Sequence, residues 1–342
     1  EQELFAGLCT TAQNHLESLH ALADAVAQLD VLACFAHQAL KHHYVRPVIV
    51  DQPALHIKGG RHPVLDELLG NHFVPNDVDL GPRSSASDNG SQTPTNTLAL
   101  ITGPNMSGKS TYIRQTALIT LLAHTGCFVP AVAATIGLCD RIFTRIGASD
   151  ELHAGQSTFM VEMTETANIC HHATARSLIV LDEIGRGTST LDGLALAWAI
   201  AEFLAQKHPR TLFATHYHEL TALSQQYDNV INLNVTVREW HDEIVFLHRI
   251  VPGATDRSYG IHVAKIAGLP ERVVERAKEL LGQLAVSHEA TSALDPQPAQ
   301  LPLFTEYVQH PALEQLSQTD LNNLTPIQAF DLLRRLRQEM DG

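Results

Sequence analysis

Residues 103–110 read Gly-Pro-Asn-Met-Ser-Gly-Lys-Ser and match G-x-x-x-x-G-K-[ST] at every fixed position. Chemistry follows from that spacing. Gly103 and Gly108 allow backbone angles that other residues resist, so successive N–H groups can turn inward onto phosphate oxygens. The start of a following helix adds a favourable field for anions. Lys109 is spaced to reach β- and γ-phosphates, and Ser110 to ligate Mg²⁺. Pro104, Asn105, Met106 and Ser107 make up the body of the loop, and Thr111 follows it into the helix.

A triphosphate loop needs carboxylates at the end of a neighbouring strand. The run Leu-Ile-Val-Leu-Asp-Glu ends in Asp182 and Glu183. Asp182 would hold Mg²⁺, directly or through water, and Glu183 would polarise the attacking water. Alone, an apolar strand ending in Asp-Glu is a capped strand end; beside the loop it becomes a site. A third run, Leu-Phe-Ala-Thr-His, ends in His216. On the same sheet edge His216 can sense the γ-phosphate; on its own residues it reads equally as a satisfied structural histidine.

The elements that must carry these groups alternate. Short apolar runs at 98–102, 177–182 and 211–215 suit buried parallel strands. Helical patterns lie at 109–125, 158–173 and 191–206. That order predicts an α/β fold with a mostly parallel sheet. Residues 231–250 predict a β-hairpin around the polar stretch Arg-Glu-Trp-His-Asp-Glu. Residues 258–284 predict two helices joined by a Gly-Leu-Pro turn, shaped like a helix-turn-helix. Without a basic face, a plain packing hairpin is preferred over DNA reading. Upstream, Leu16, Leu19, Leu22, Val26, Leu29 and Leu32 recur at helical spacing within 8–43, giving one amphipathic helix or a pair ended by Pro47. Residues 79–97 are rich in Ser, Thr, Asn, Gly and Pro and predict a disordered surface insertion. Residues 285–300 predict a linker, and 326–339 a last amphipathic helix.

Composition narrows the function classes. The chain has 342 residues, 44% of them apolar, enough for two or three domains with a sizeable core. No apolar run is long enough to predict a membrane span. The start at Glu1, without Met or a basic-then-apolar leader, predicts a fragment of a longer protein with no signal peptide. Five scattered cysteines without a C-x-x-C pair predict reduced thiols in a cytosolic protein, and no histidine spacing predicts zinc. Net charge is −14, from 23 basic and 37 acidic residues. Such a chain is a poor candidate for gripping DNA through its own surface.

Taken together, several stretches resemble one family. Gly103–Ile119, Gly155–Ile169, Leu181–Ala199 and Phe213–Leu220 are similar to the ATPase domain of the MutS family of DNA mismatch-recognition proteins. Residues 59–67 and 258–270 extend the match, which runs in order from about 45 to 284. The resemblance implies an ABC-type P-loop NTPase that uses ATP and Mg²⁺ and works as a homodimer with composite sites. By implication Ser157 and Thr158, opening a helix, approach the γ-phosphate bound by the partner subunit, as a helix N-terminus with hydroxyls can. Their residues alone read as an N-cap. Asp192, in the stretch 187–193, is implied to carry a signal between the sites. The resemblance assigns the base to Phe73, Val74 and His248, where a ring and an imidazole could sandwich adenine. From residues alone, Phe73 and His248 read as core.

The same resemblance divides the chain. Residues 1–44 are the last helices of a lever, 45–250 the ATPase domain, 251–284 a helix-turn-helix dimerisation segment, and 285–342 a tail. Ser107 departs from the glycine that many members carry, at a position that is not one of the two fixed glycines. Mismatched double-stranded DNA would be contacted by parts absent from this chain. A MutL-type partner and a bacterial cytosolic, nucleoid-associated location are also implied. Gln300, Leu301, Leu303 and Phe304, in Gln-Leu-Pro-Leu-Phe, resemble a peptide that docks on the replication sliding clamp; the alternative is an apolar staple onto the ATPase. Three other classes compete. An ABC transporter or chromosome-structure motor lacks support because no Leu-Ser-Gly-Gly-Gln signature is present. A nuclease-bearing relative would need a longer tail. A non-enzymatic dimerisation module would fail to bind nucleotide.

Overall fold

The computed structural model describes residues 1–82, 95–147, 158–240, 243–254 and 259–291, with the backbone alone at 239, 240, 243 and 282–291. The chain falls into two units, Glu1–Lys278 and Glu279–Gly342. In the first, the described residues form ten strands in two sheets. The larger is built on β4 (Leu98–Thr102), β6 (Ile142–Ile146), β7 (Leu178–Asp182), β8 (Arg210–Ala214), β9 (Val230–Trp240) and β10 (Glu243–Pro252). Its order is β10-β9-β4-β8-β7-β6, parallel throughout except for the β9–β10 hairpin at one edge. The expected strands and hairpin all lie in this sheet.

The smaller sheet has the order β1-β5-β2-β3, from β1 (Val48–Val50), β2 (Leu55–Gly60), β3 (Asn76–Leu80) and β5 (Ala133–Gly137). These strands are short and lack a clear period: β1 is three residues, Val-Ile-Val, and β3 reads Asn-Asp-Val-Asp-Leu. Their pairing partners, not their own propensity, make them strands. β3 also takes the first two residues of the expected 79–97 insertion, because Val78 and Leu80 are buried. Residues 83–94 of that insertion lie outside the described residues.

Alternate residues of the central strands face two cores. Ala99 and Ile101 of β4 and Val180 of β7 pack with Tyr112, Ile113 and Ile119 of helix α4 (Lys109–His124) and with Leu55 and Ile57 of the small sheet. Leu98, Leu100, Ile179 and Leu181 face the other way, onto Ile169 of α5 (Thr158–His172) and Leu194, Ala197 and Leu204 of α6 (Thr190–Lys207). Burial on both faces explains why these strands read as continuous apolar runs rather than as alternation. Arg210, only 1% exposed, donates to the carbonyls of Ala54, Gly137, Leu138 and Arg176, so one guanidinium ties the small sheet's connections to the large one.

At the N-terminus, α1 (Gln2–Asn14) and α2 (Leu16–Lys41) form a helix pair, one of the two expected arrangements, interrupted at His15. Neither buries a residue. The expectation of no membrane-length run needs correcting: among the described helices α2 is long and apolar enough, by length and composition, to cross a membrane. Asp24 and Asp30 lie inside it, and carboxylates there are costly in lipid. Its leucines instead recur at helical spacing among polar residues, the pattern of a helix that packs on protein. A short helix, α3 (Pro63–Leu69), and a 3₁₀ turn, Gly70–His72, connect β2 to β3. At the other end α7 (Gly260–Ile266) and α8 (Glu271–Thr291) are joined by a turn in which Gly268 has φ +84°. Because α8 continues to Thr291, the first seven residues of the expected 285–300 linker are helical. The remaining tail lies outside the described residues.

Candidate functional site

The loop between β4 and α4 is built on residues with positive φ: Gly103 at +139°, Met106 at +64° and Gly108 at +109°. A Cβ on Gly108 would come 3.3 Å from His248 Nδ1, so both the angle and the space at this position call for glycine. Ser107 is 1% exposed, and its hydroxyl donates to the Pro104 carbonyl at 2.7 Å, closing the loop from within. Lys109 begins α4 and is 4% exposed. Its ammonium donates to the carbonyls of Gly103 and Pro104 at 2.5 and 3.0 Å. Burial holds its pKa below the ordinary lysine value, and the nearby Glu183 and Asp182 oppose that shift.

The carboxylates come from β7, two strands away in the sheet. Asp182 ends the strand, and its Oδ1 is buried with no hydrogen-bond partner among the described residues. An anionic oxygen left so is stable when a cation or its water completes it, so the donor set fits a divalent ion. Glu183 takes a left-handed backbone angle, φ +58°, while its N–H donates to Ala214 of β8 at 2.8 Å. Its carboxylate lies 3.7 Å from Lys109 Nζ and 2.7 Å from Arg186 Nη1. His216 follows β8. Its ring packs against Tyr217 at 4.0 Å, and its buried Nδ1 has no partner among the described residues. Desolvation, assisted by Arg186 and Lys109, lowers its pKa to about 4, so the imidazole is neutral at pH 7.

A cavity of about 390 Å³ opens beside the loop, within the range of roughly 300–1,000 Å³ usual for small-molecule sites. Pro104, Asn105, Met106, Gly108, Lys109, Ser110, Thr111 and Glu183 line it. Phe73, Val74 and His248 line it too, with Leu65 and Leu69 of α3. The core reading of Phe73 and His248 is thereby corrected: Phe73 is half-buried on the cavity lining, and His248 is exposed, in a break of β10, with φ +53°. Its Nδ1 donates to the Ser107 carbonyl at 2.7 Å, which couples this wall to the loop. Leu65, Leu69, Asn76, Tyr112 and Gln115 also line the cavity; the first three become neighbours of the loop only through the tertiary fold, while Tyr112 and Gln115 follow the loop on α4.

Other expected residues fall elsewhere. Thr158 is exposed at the first position of α5 and does not line the cavity; Ser157 lies outside the described residues, as do Gln300, Leu301, Leu303 and Phe304. Asp192 sits in the first turn of α6, where its N–H donates to Ser189 Oγ and its carboxylate accepts from the same hydroxyl. That reciprocal pair is an N-cap, with Ser189 at the cap and Asp192 at N3. One connection was not legible in the sequence. Glu162 of α5 is 5% exposed, accepts from Gly185 N just after Glu183, and pairs with Arg145 at 3.2 Å. Helix α5 and the carboxylate loop are therefore held by one buried side chain.

Comparison with known proteins agrees with this geometry. Residues 99–285 match the family model described as MutS domain V. A DNA mismatch repair protein MutS of Rhodopirellula baltica is 52% identical over 357 aligned positions, covering 100% of this chain and 39% of that protein. The proteins of the same name in Syntrophobacter fumaroxidans and Desulfitobacterium hafniense are 47% and 49% identical, covering 100% and 99% of this chain and 39% of each relative. The chain thus spans well under half the length of the curated relatives it matches. With a family model over more than half of its residues and glycine loop, carboxylate strand and cavity brought together, the chain belongs to the MutS domain V family.

Proposed function

We propose that this chain is the ATP-binding and hydrolysing module of a DNA mismatch recognition protein, acting as an ATP-driven switch in a homodimer. One observation carries the reading: buried Lys109, Asp182 with its Oδ1 unpaired among the described residues, Glu183, Phe73 and His248 gather about a single glycine loop. In this reading the loop N–H groups, Lys109 and the start of α4 grip the β- and γ-phosphates. Ser110 and Asp182 would hold Mg²⁺, which neutralises triphosphate charge when bound. Glu183 orients and deprotonates the attacking water. Neutral His216 offers a hydrogen bond towards the γ-phosphate. Phe73, Val74 and His248 hold the adenine.

The finer architecture belongs to the same proposal. It is an ABC-type P-loop domain in which Ser157 and Thr158 of one protomer complete the site of the other. The exposure of Thr158, outside the cavity of its own chain, supports a role in trans. Asp192 carries the state of one site to the next, and α7 with α8 forms the dimerisation pair. Mismatched DNA and a MutL-type partner would be engaged by the assembled protein, in a bacterial cytosol, since this acidic chain supplies little phosphate affinity itself. The 300–304 peptide would recruit a sliding clamp.

The test is sedimentation and hydrolysis with and without ATP and Mg²⁺. ATP-dependent dimerisation with hydrolysis is expected. Ser157→Ala chains should bind ATP yet hydrolyse poorly, and mixing them with Lys109→Ala chains should restore at most one composite site per dimer. Full hydrolysis by a strictly monomeric protein rules out the composite site; failure to bind a fluorescent ATP analogue rules out the nucleotide reading.

A further inference from the structure

Asn76 opens β3 and is 8% exposed. Its side-chain amide uses every group it has. Nδ2 donates one hydrogen to the Val74 carbonyl at 3.2 Å and the other to the His248 carbonyl at 2.9 Å. Oδ1 accepts from the Ile250 N–H at 2.8 Å. Val74 and His248 both line the cavity, and the Asn76–His248 bond bridges 172 residues of sequence.

The backbone around His248 explains why such a tie is needed. Pairing between β9 and β10 is interrupted between Phe246 and Ile250. Across that break His248 adopts φ +53°, a region that non-glycine residues seldom enter without support. Asn76 supplies the partners at the break, an acceptor for the Ile250 N–H and a donor for the His248 carbonyl. His248 is then fixed twice, its carbonyl by Asn76 and its ring by the Ser107 carbonyl. Of the common side chains of this length, only asparagine offers two donors and an acceptor together. Aspartate has the shape without the donors, and glutamine adds a methylene that shifts both.

We propose that Asn76 is a positioning residue that holds Val74 and His248 in place at the base-binding part of the cavity, and with them the preference for adenine. The proposal deepens the nucleotide-site reading and rests on it. Asn76 itself does not touch the phosphate end: that end is built by the loop and α4. A loss at Asn76 therefore separates base recognition from phosphate recognition.

The experiment compares ATP, GTP and inorganic tripolyphosphate as competitors of a fluorescent ATP analogue on the full chain. For Asn76→Asp, ATP affinity should fall by about tenfold or more, the ATP-over-GTP preference should shrink, and tripolyphosphate affinity should stay within about twofold. Asn76→Gln, which keeps the amide, should recover part of the preference. In the unmodified protein, hydrogen exchange at the Ile250 amide should slow on saturation with ATP and not with tripolyphosphate, a readout that survives even if the variants fail to fold. Equal loss of ATP and tripolyphosphate binding in Asn76→Asp, or equal protection of Ile250 by both ligands, overturns the proposal alone. An unmodified protein that binds neither ligand overturns the nucleotide reading and this proposal with it.

Discussion

Arg186 Nη1 lies 2.7 Å from Glu183 Oε2, while Lys109 Nζ stands 3.7 Å from the other oxygen of the same carboxylate. The group proposed to activate water is thus held between two cations, one from its own loop and one from the phosphate loop. Its orientation is set by these partners and by the left-handed backbone at Glu183. Charge, not shape, is what a base must keep. Glu183→Gln should retain a hydrogen bond to Arg186 and leave ATP affinity within about threefold. Hydrolysis should fall by about 10²-fold or more, the usual contribution of a positioned general base. Single-turnover kinetics beside equilibrium ATP binding checks this; normal hydrolysis would remove Glu183 from the mechanism.

Lys109 is buried, and burial lowers its pKa in the folded chain. The native state then binds protons less readily than the unfolded state, so below the depressed native pKa the charged side chain costs stability. Lys109→Met keeps the volume and removes that cost. The variant should lose triphosphate binding by tenfold or more while its Tm at pH 7 stays the same or rises by about 2–4 °C. A calorimetric scan with an ATP titration decides it, and a large fall in Tm would contradict the argument.

His216 titrates near 4 in the folded chain, below the 6.5 of an unperturbed imidazole, chiefly because it is desolvated. Its folded pKa is depressed, so the unfolded state takes up the proton first as pH falls. Stability from keeping it neutral is present above about 6.5 and is lost progressively towards pH 4. His216→Gln should therefore flatten the fall of Tm between those pH values. Parallel melting curves for the two proteins across that window test the sign, and unchanged pH dependence would exclude His216 as the source.

Two carboxylates meet Arg145 with opposite expected consequences. Glu162 is buried with the guanidinium, both side chains 6% exposed, and also receives the Gly185 N–H; Glu165 is 48% exposed. Glu162→Ala leaves Arg145 with only the half-exposed Glu165 and orphans the Gly185 N–H, and should destabilise by about 1–3 kcal/mol. It should also loosen the segment after β7 that bears Glu183 and slow hydrolysis. Glu165→Ala should cost under about 1 kcal/mol and leave hydrolysis unchanged. Denaturant unfolding of both variants distinguishes them, and equal costs would show that the buried pair has no special standing.

Leu303 and Phe304 would contribute about 1.5–3 kcal/mol each when fully buried in a partner's pocket. Set against the cost of ordering a peptide, that gives micromolar affinity at best. The Leu303→Ala, Phe304→Ala double variant should abolish sliding-clamp binding in a pull-down and leave ATP hydrolysis within about twofold. If the ATPase domain unfolds instead, the peptide is a staple on its own chain.

Much of this protein was determined locally. Gly103 to Ser110 declares its phosphate chemistry because the required backbone freedom, lysine and hydroxyl are contiguous. The helices at Lys109–His124, Thr158–His172 and Thr190–Lys207 were legible from short-range pattern, as were the strands ending in Asp182 and Ala214, whose two buried faces leave unbroken apolar runs. Tertiary structure alone decided the rest. The polar strand Asn76–Leu80 exists because β2 pairs with it. His248 left the core because a break in β10 turns it outward beside Ser107. Arg210, Glu162 and Asn76 acquire their partners from segments remote in sequence. A hydrogen bond across 172 residues leaves no periodicity to read, since it depends on where two sheets and one helix bring backbone groups, not on the residues beside it in the chain.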